Sequence, residues 1–194
     1  AGVTATFGEV DEKQRVILRQ AMALADEAGL DAVSMRAVGR RVGLSSMALY
    51  PYVGNKEALL DGLVRQLLEE LHDASDSDGD WRDRLRAIAH AARDLATAHP
   101  GAYPLLVARP TAAEGDDADR VQERIRDALR DAGVARAEVL RLQRMLSTFA
   151  LGYGASEVTG RFAAGSPEER DAEFEADLED LLSLIERSAE RRRG

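Results

Sequence analysis

The chain has 194 residues, of which 45% are hydrophobic, 31% charged and 5% aromatic, and its formal net charge is −9. An abundance of Ala, Leu, Arg and Glu with few β-branched or aromatic residues predicts an all-α globular protein. The absence of cysteine excludes disulfides and thiolate chemistry, and without a long apolar run or a signal-peptide pattern we expect a soluble, cytoplasmic protein that makes no membrane contact.

The chain is predicted to begin with a short arm and a helix. Residues 1–10 are expected to form a flexible N-terminal arm. From Asp11 to Ala28 the apolar residues recur at helical spacing. Gly29 follows and is a suitable C-terminal cap, because glycine adopts the left-handed conformation that ends many helices.

Three helices are expected next, each after a residue whose side chain can accept a hydrogen bond from the backbone. These residues are Ser34, Ser45 or Ser46, and Asn55. The third helix is expected to end or bend at Pro51, because proline lacks an N–H and would clash with the carbonyl of Met47. The fourth helix is long and carries a leucine-rich face.

The remainder of the chain is predicted to add five helices. Residues 73–80 are polar and acidic and are expected to form a loop that ends in an N-cap at Asp80. The helices after it are predicted over residues 81–98, 103–106, 118–132 and 135–162, and from Pro167 onward. About nine helices are therefore expected, with a first domain over 11–56 and a second domain over 57–194.

Residues 34–56 have the pattern of a helix-turn-helix. Gly39 is small enough for two helices to cross closely, Gly43 permits a tight turn, and Leu49 serves as an inward apolar anchor. In this motif the second helix enters the major groove of DNA. Counting from Leu49, the side chains of Ser46, Met47 and Tyr50 are expected to point outward.

The distribution of charge supports this interpretation. Residues 32–56 contain four cations and no carboxylate, whereas residues 57–194 have a net charge of −10. A basic window in an acidic protein is typical of a surface that meets phosphate. The cations of the window are Arg36, Arg40, Arg41 and Lys56.

The run AVSMRAVGRRVGLSSMALYPYVGNKEALLDGLV, residues 32–64, resembles the DNA-binding domain of TetR-family transcriptional regulators. The resemblance is specific over about residues 11–71 and covers only the general architecture beyond them. It implies a repressor that binds palindromic double-stranded DNA and needs no cofactor. It also implies DNA contacts from Ser34, Arg36, Ser45, Ser46, Met47, Ala48, Tyr50, Tyr52 and Lys56.

The resemblance also implies that residues 57–194 bind a small-molecule effector between helices and form a homodimer through the last two long helices. Filling the pocket would change the separation of the two DNA-binding units and relieve DNA binding. The candidate ligand-binding residues are polar or aromatic groups on otherwise apolar faces, namely Trp81, His90, His99, Tyr103, Met145, Phe149 and Tyr153.

Two alternatives remain open from the sequence. One is a ligand sensor or scaffold of the same fold that has lost DNA binding, for which Pro51 and the weakly polar recognition helix are the main support. The other is a helical-bundle metalloenzyme, based on the Glu69-Glu70-Leu71-His72 spacing. An enzyme is not expected, because this pair has no second copy in the chain and no metal is predicted.

Overall fold

The structure, a computed structural model, describes residues 7–109, 116–162 and 165–190. These residues form nine α-helices and one short 3-10 helix at Leu30–Ala32, in agreement with the predicted all-α class. The helices are α1 (Phe7–Ala28), α2 (Met35–Val42), α3 (Ser46–Val53), α4 (Lys56–Ala74), α5 (Trp81–Ala98), α6 (Pro104–Ala108), α7 (Asp116–Asp131), α8 (Arg136–Val158) and α9 (Pro167–Glu190).

Several helix ends differ from the sequence-based expectation. α1 begins at Phe7, so residues 7–10 are helical, and residues 1–6 of the expected arm lie outside the described residues. α3 does not end at Pro51 but continues to Val53. α8 ends at Val158, well before the expected residue 162, because Gly160 adopts a left-handed conformation with φ of 72°.

Pro51 is tolerated because of where it lies in α3. It is the sixth residue of the helix, so its missing N–H removes one hydrogen bond, to the carbonyl of Met47. Met47, whose carbonyl loses that partner, is 76% exposed. Leu49 and Val53, on the opposite face of the helix, are buried and hold α3 in place across the proline.

The first three helices enclose a small core of their own. α1 contacts both α2 and α3, and α2 contacts α3. The core side chains are fully or almost fully buried and come from each helix and from the segment after α1, namely Ile17, Ala21, Val33, Val38, Leu49 and Val53. Burying a side chain of this size contributes about 1.5–3 kcal/mol, so this core fixes the orientation of α3.

The C-terminal helices pack around α5 and α8. α7 covers both of them and α4, and α9 lies along α5. Gly154 permits the close approach of α8 to α5, because a Cβ there would lie 2.8 Å from the Cβ of Ala96. None of the described helices is long and apolar enough to cross a bilayer.

The two groups of helices meet where the turn between α5 and α6 rests on the end of α1. Gly101 is required at this point, because a Cβ would lie 1.9 Å from the carbonyl oxygen of Ala25. The N–H groups of Gly101 and Ala102 donate to Asp26 Oδ1 at 3.1 and 3.3 Å. The position of α1 is therefore linked directly to the end of α5.

Candidate nucleic-acid interface and ligand cavity

α2, its turn and α3 have the geometry of a helix-turn-helix. Ser34 caps α2 by accepting a hydrogen bond from the Ala37 N–H at 3.2 Å. Gly43 ends α2 with φ of 70°. Gly39 is buried beneath the start of the turn, where a Cβ would lie 2.7 Å from the carbonyl oxygen of Leu44. The two glycines therefore have the roles that the sequence predicted for them.

Of the three α3 residues predicted to point outward, Met47 and Tyr50 are exposed, whereas Ser46 is half-buried. Met47 is 76% exposed and Tyr50 is 48% exposed. Ser46 and Ala48 are half-buried between this face and the core. Ser45 is the N-cap, and its Oγ accepts from the Ala48 N–H at 3.2 Å, which leaves its hydroxyl proton available to an outside acceptor.

The basic window carries fewer free charges than its sequence indicates. Arg41 is paired with Glu27 of α1 through both guanidinium nitrogens. This hydrogen bond lowers the pKa of the Glu27 carboxyl. Arg36, Arg40 and Lys56 are exposed and make no ion pair within the described ranges. Of the four cations of the window, three are therefore without an ion pair within the described residues, and Arg41 is neutralised by a carboxylate from outside the window.

Tyr52 differs from Tyr50 in its surroundings. It is half-buried, and the ammonium group of Lys13 lies 5.8 Å from the centre of its ring. Part of this side chain therefore packs between α3 and α1. Lys56, at the start of α4, follows Asn55, which caps that helix by accepting from the Ala58 N–H at 2.9 Å.

His99 and Tyr103 lie at the junction of the two helix groups. His99 bridges Asp26 of α1 at 2.8 Å and Glu70 of α4 at 2.9 Å. Burial opposes its protonation, but the hydrogen bond to Asp26 and the charge of Glu70 outweigh burial and raise the pKa of His99. Tyr103 is fully buried, and its hydroxyl donates to the Leu151 carbonyl at 3.4 Å.

Three other predicted ligand-binding residues form an aromatic cluster around Phe174 of α9. The ring centres of His90, Phe149 and Tyr153 lie 5.3, 5.5 and 5.0 Å from that of Phe174. His90 also contacts Glu175 at 2.8 Å. This cluster joins α5, α8 and α9, which gives all three residues a packing role.

The last two predicted ligand-binding residues lie apart from the others. Trp81 is half-buried at the start of α5, with the guanidinium of Arg82 5.4 Å from its ring. Met145 is 36% exposed on α8. The seven candidates are therefore spread over several places and do not enclose one space.

A cavity does lie among α4 to α8. Its volume is about 100 Å³, and it is partly open to solvent. None of the seven candidates lines it. Most of its wall is aliphatic, with side chains that include Leu68, Ile88, Leu106, Val121, Leu146 and Ala150.

The polar residues of this wall are Gln122 of α7 and Ser147 of α8. The sequence reasoning missed both. The available signal was their position next to an apolar stripe, since Gln122 follows Val121 and Ser147 follows Leu146. Helical spacing alone does not show which neighbour of a stripe turns toward a cavity.

The residues of the metalloenzyme alternative are engaged elsewhere. Glu70 pairs with His99, and the Nε2 atom of His72 lies 3.3 Å from Nη2 of Arg124. Across the described parts of the chain, no group of three or more histidines and carboxylates could hold a metal ion.

Two models of known protein families match this chain. Residues 17–63 match the family model of bacterial regulatory proteins of the tetR family, and residues 85–181 match the tetracyclin repressor-like C-terminal domain. The second match alone covers half of the chain. The chain therefore belongs to the TetR family of bacterial regulatory proteins.

Among particular relatives, the chain is 33% identical over 152 residues to the class A tetracycline repressor of transposon 1721 from Escherichia coli, covering 77% of this chain and 68% of that protein. It is 29% identical over 159 residues to the transcriptional repressor DrrR1 of Streptomyces coeruleorubidus. That match covers 81% of this chain but only 58% of the length of DrrR1.

Two solved structures have the same fold. One is BioQ with its double-stranded DNA operator, with a TM-score of 0.74, 23% identity and coverage of 89% of this chain and 97% of that one. The other is a single-residue variant of TetR from Acinetobacter baumannii in complex with minocycline, with a TM-score of 0.74, 24% identity and coverage of 95% and 98%.

Proposed function

We propose that this chain is a dimeric, sequence-specific DNA-binding repressor that releases its operator when a small molecule enters the C-terminal cavity. The observation that carries the proposal is the exposed face of α3, with Met47 and Tyr50 at its centre. The free charges of Arg36 and Lys56 flank it. An exposed apolar residue at this place suits contact with a thymine methyl group, and the cations suit phosphate.

A role for each predicted DNA contact follows from its place. Ser34 and Ser45 lie at helix N-termini, where free N–H groups favour phosphate. Ser46, Met47 and Ala48 occupy the first turn of α3, the part of a recognition helix that meets base edges. Tyr50 and Tyr52 are suited to pack against the sugar-phosphate backbone.

Two copies are proposed to pair through α8 and α9. α8 exposes apolar side chains that the described part of the monomer does not cover, including Leu140 at 55% and Met145 at 36%. Gly152 also has open space around it, which suits the close approach of a second helix. A two-fold dimer would place two copies of α3 in successive major grooves of a palindrome. As a reader of chromosomal DNA, the protein would act in the cytoplasm.

The relatives support both parts of the proposal. The curated relatives are named as repressors, BioQ is found with operator DNA, and the Acinetobacter TetR variant is found with minocycline. The alternative of a sensor without DNA binding predicts no sequence-selective retention of DNA. Selection of DNA from a pool therefore distinguishes a DNA-binding repressor from a sensor that does not bind DNA.

The test is selection from a random duplex pool with the full chain at near-physiological salt. We expect a palindrome whose half-sites are about one helical turn apart. Arg36→Ala and Lys56→Ala are each expected to weaken binding to that duplex. Each should also reduce by about one the number of counterions released on binding, measured as the slope of log affinity against log salt concentration. Arg136→Ala, which removes the same charge at the exposed start of α8, is the matched control. Retention that is blind to sequence would contradict the proposal.

A further inference from the structure

The cavity among α4 to α8 has a lining whose chemistry restricts its ligand. Among the described residues no charged side chain contributes to the wall, and the polar ones are Gln122 and Ser147. An ionised ligand would therefore lose its hydration without gaining a partner, which costs several kcal/mol or more. An uncharged molecule with a largely hydrocarbon surface would gain free energy from the same wall.

The direction of the Gln122 side chain is set by a chain of three hydrogen bonds. Arg126 Nη1 lies 3.4 Å from Gln143 Oε1, and Arg126 is itself held by Glu123, with Nε donating to Oε2 at 2.7 Å. A guanidinium can only donate, so the Gln143 atom that faces it is the carbonyl oxygen. The NH₂ group of Gln143, which is buried, must then face the other way.

That NH₂ group faces Gln122 and donates to its Oε1 at 3.2 Å. The oxygen of Gln122 is thus occupied, and its own NH₂ group makes no hydrogen bond within the described residues. The Ser147 hydroxyl likewise has no partner there. The polar part of the wall therefore offers donors to a ligand: the Gln122 amide has two N–H groups, and the serine has one O–H, whose oxygen can also accept.

From this lining we propose that the cavity binds a neutral, largely hydrocarbon molecule that carries a hydrogen-bond acceptor, such as the carbonyl of a ketone, ester or lactone. Gln122 and Ser147 donate to that acceptor, and the aliphatic wall covers the rest of the ligand. The proposed binding of such a molecule depends only on the residues that line the cavity. Its effect on DNA rests on the function proposed above.

The test is calorimetric titration of the full chain with 2-nonanone and, separately, with nonanoate at pH 7.5. The two probes share their chain length, but nonanoate carries a charge. We expect saturable binding of 2-nonanone with one site per chain, and binding of nonanoate at least tenfold weaker. Equal binding of the two probes, or no binding of the ketone, would overturn the proposal.

Two variants locate the binding. Gln122→Leu keeps the volume of the side chain but removes the donor, and we expect the affinity for 2-nonanone to fall roughly three- to tenfold. Ala150→Phe fills the cavity and is expected to abolish binding. Gln20→Leu, a half-buried glutamine on α1, is the matched control. Unchanged affinity in Gln122→Leu would remove the role of the donor and contradict the proposal.

The same samples separate the ligand class from the function. Release of the selected duplex by 2-nonanone but not by nonanoate supports both. Binding of the ketone without release supports the ligand class and contradicts only the ligand response. A chain that retains no DNA would contradict the proposed function, while the calorimetry would still decide the ligand class.

Discussion

The helix-turn-helix and the interface between α5 and α9 use their arginines in opposite ways. On the first, Arg36 and Arg40 are exposed and have no ion pair within the described part of the chain. On the second, Arg82 and Arg86 both bind Glu179, and Arg86 also binds Glu175 at 3.2 Å. Charge that is neutralised within the fold holds helices together, whereas charge left free is available to a partner.

This difference explains how an acidic protein can present a DNA-binding surface. The net charge of −9 belongs mostly to the C-terminal helices, where much of the acidic charge faces arginines of the same domain. Within the described ranges, the one ion pair made by the cations of α2 is that of Arg41 with Glu27.

The largest effect is expected at Gly39, which lies in α2 between the unpaired cations Arg36 and Arg40. Gly39→Ala would place a Cβ 2.7 Å from the carbonyl oxygen of Leu44, an atom that cannot move without opening the turn. We expect a loss of about 3 kcal/mol in the free energy of unfolding, measured by chemical denaturation. Gly43→Asn, at a position with φ of 70°, should cost clearly less because asparagine tolerates that conformation. Equal losses would show that the close crossing at Gly39 does not constrain the turn.

The second effect concerns the paired charges. Arg93 binds Glu157 and Asp171 at 2.7 Å each and lies 4.7 Å from the ring centre of Phe174. Arg93 and Glu157 are only 15% and 16% exposed, so Arg93→Ala would leave a mostly buried carboxylate without its partner. We expect a loss of about 2 kcal/mol in thermal or chemical unfolding.

The control for this prediction is Arg130→Ala. Arg130 is 51% exposed and pairs with Glu123 and Asp127 on its own helix. Exposed pairs of this kind contribute little, so no measurable change in stability is expected. Equal losses of stability in Arg93→Ala and Arg130→Ala would show that burial does not determine how much these ion pairs stabilise the fold.

The smallest effect is a dependence on pH at the junction between the two regions. The His99 ring is held by Asp26 of α1 and Glu70 of α4, and despite burial these partners raise its pKa above the ordinary value of about 6.5. The stabilisation is therefore fully present below about pH 6.5 and is lost as pH rises through the raised pKa of the folded state.

The measurement compares wild type with His99→Gln in chemical denaturation at pH 6 and at pH 8.5. Wild type should be the more stable protein at pH 6, and its advantage should shrink at pH 8.5. An advantage that is the same at both values, or larger at pH 8.5, would show that a protonated His99 does not hold the two regions together.

The sequence allowed the N-terminal site to be predicted in some detail, because the rules that govern it are local. The N-caps Ser34, Asn55 and Asp80 follow from residue type and position, and each accepts the expected backbone hydrogen bond. The outward face of α3 follows from counting along a single helix from Leu49, which is fully buried. Of the two outcomes expected at Pro51, an end of the helix is wrong, because tertiary packing of Leu49 and Val53 outweighs one lost hydrogen bond.

The C-terminal cavity could not be predicted in the same way. It is enclosed by five helices, and the angle of each helix depends on contacts far apart in the sequence. The candidates were chosen because they are aromatic or polar residues on apolar helix faces. Three of them, His90, Phe149 and Tyr153, pack on Phe174 and do not line this cavity. The pairing of Arg41 with Glu27, 14 residues away, was missed for the same reason.

The Met47→Asp substitution tests whether α3 contacts the DNA. Met47 is 76% exposed, so the substitution should leave the melting temperature unchanged. Val107→Asp, at a residue of α6 that is 57% exposed, is the matched control. A carboxylate at the tip of α3 would face phosphate, and like-charge juxtaposition costs several kcal/mol. We expect the affinity for the selected duplex to fall at least roughly 100-fold in Met47→Asp alone; wild-type affinity in that variant would show that α3 does not contact the DNA.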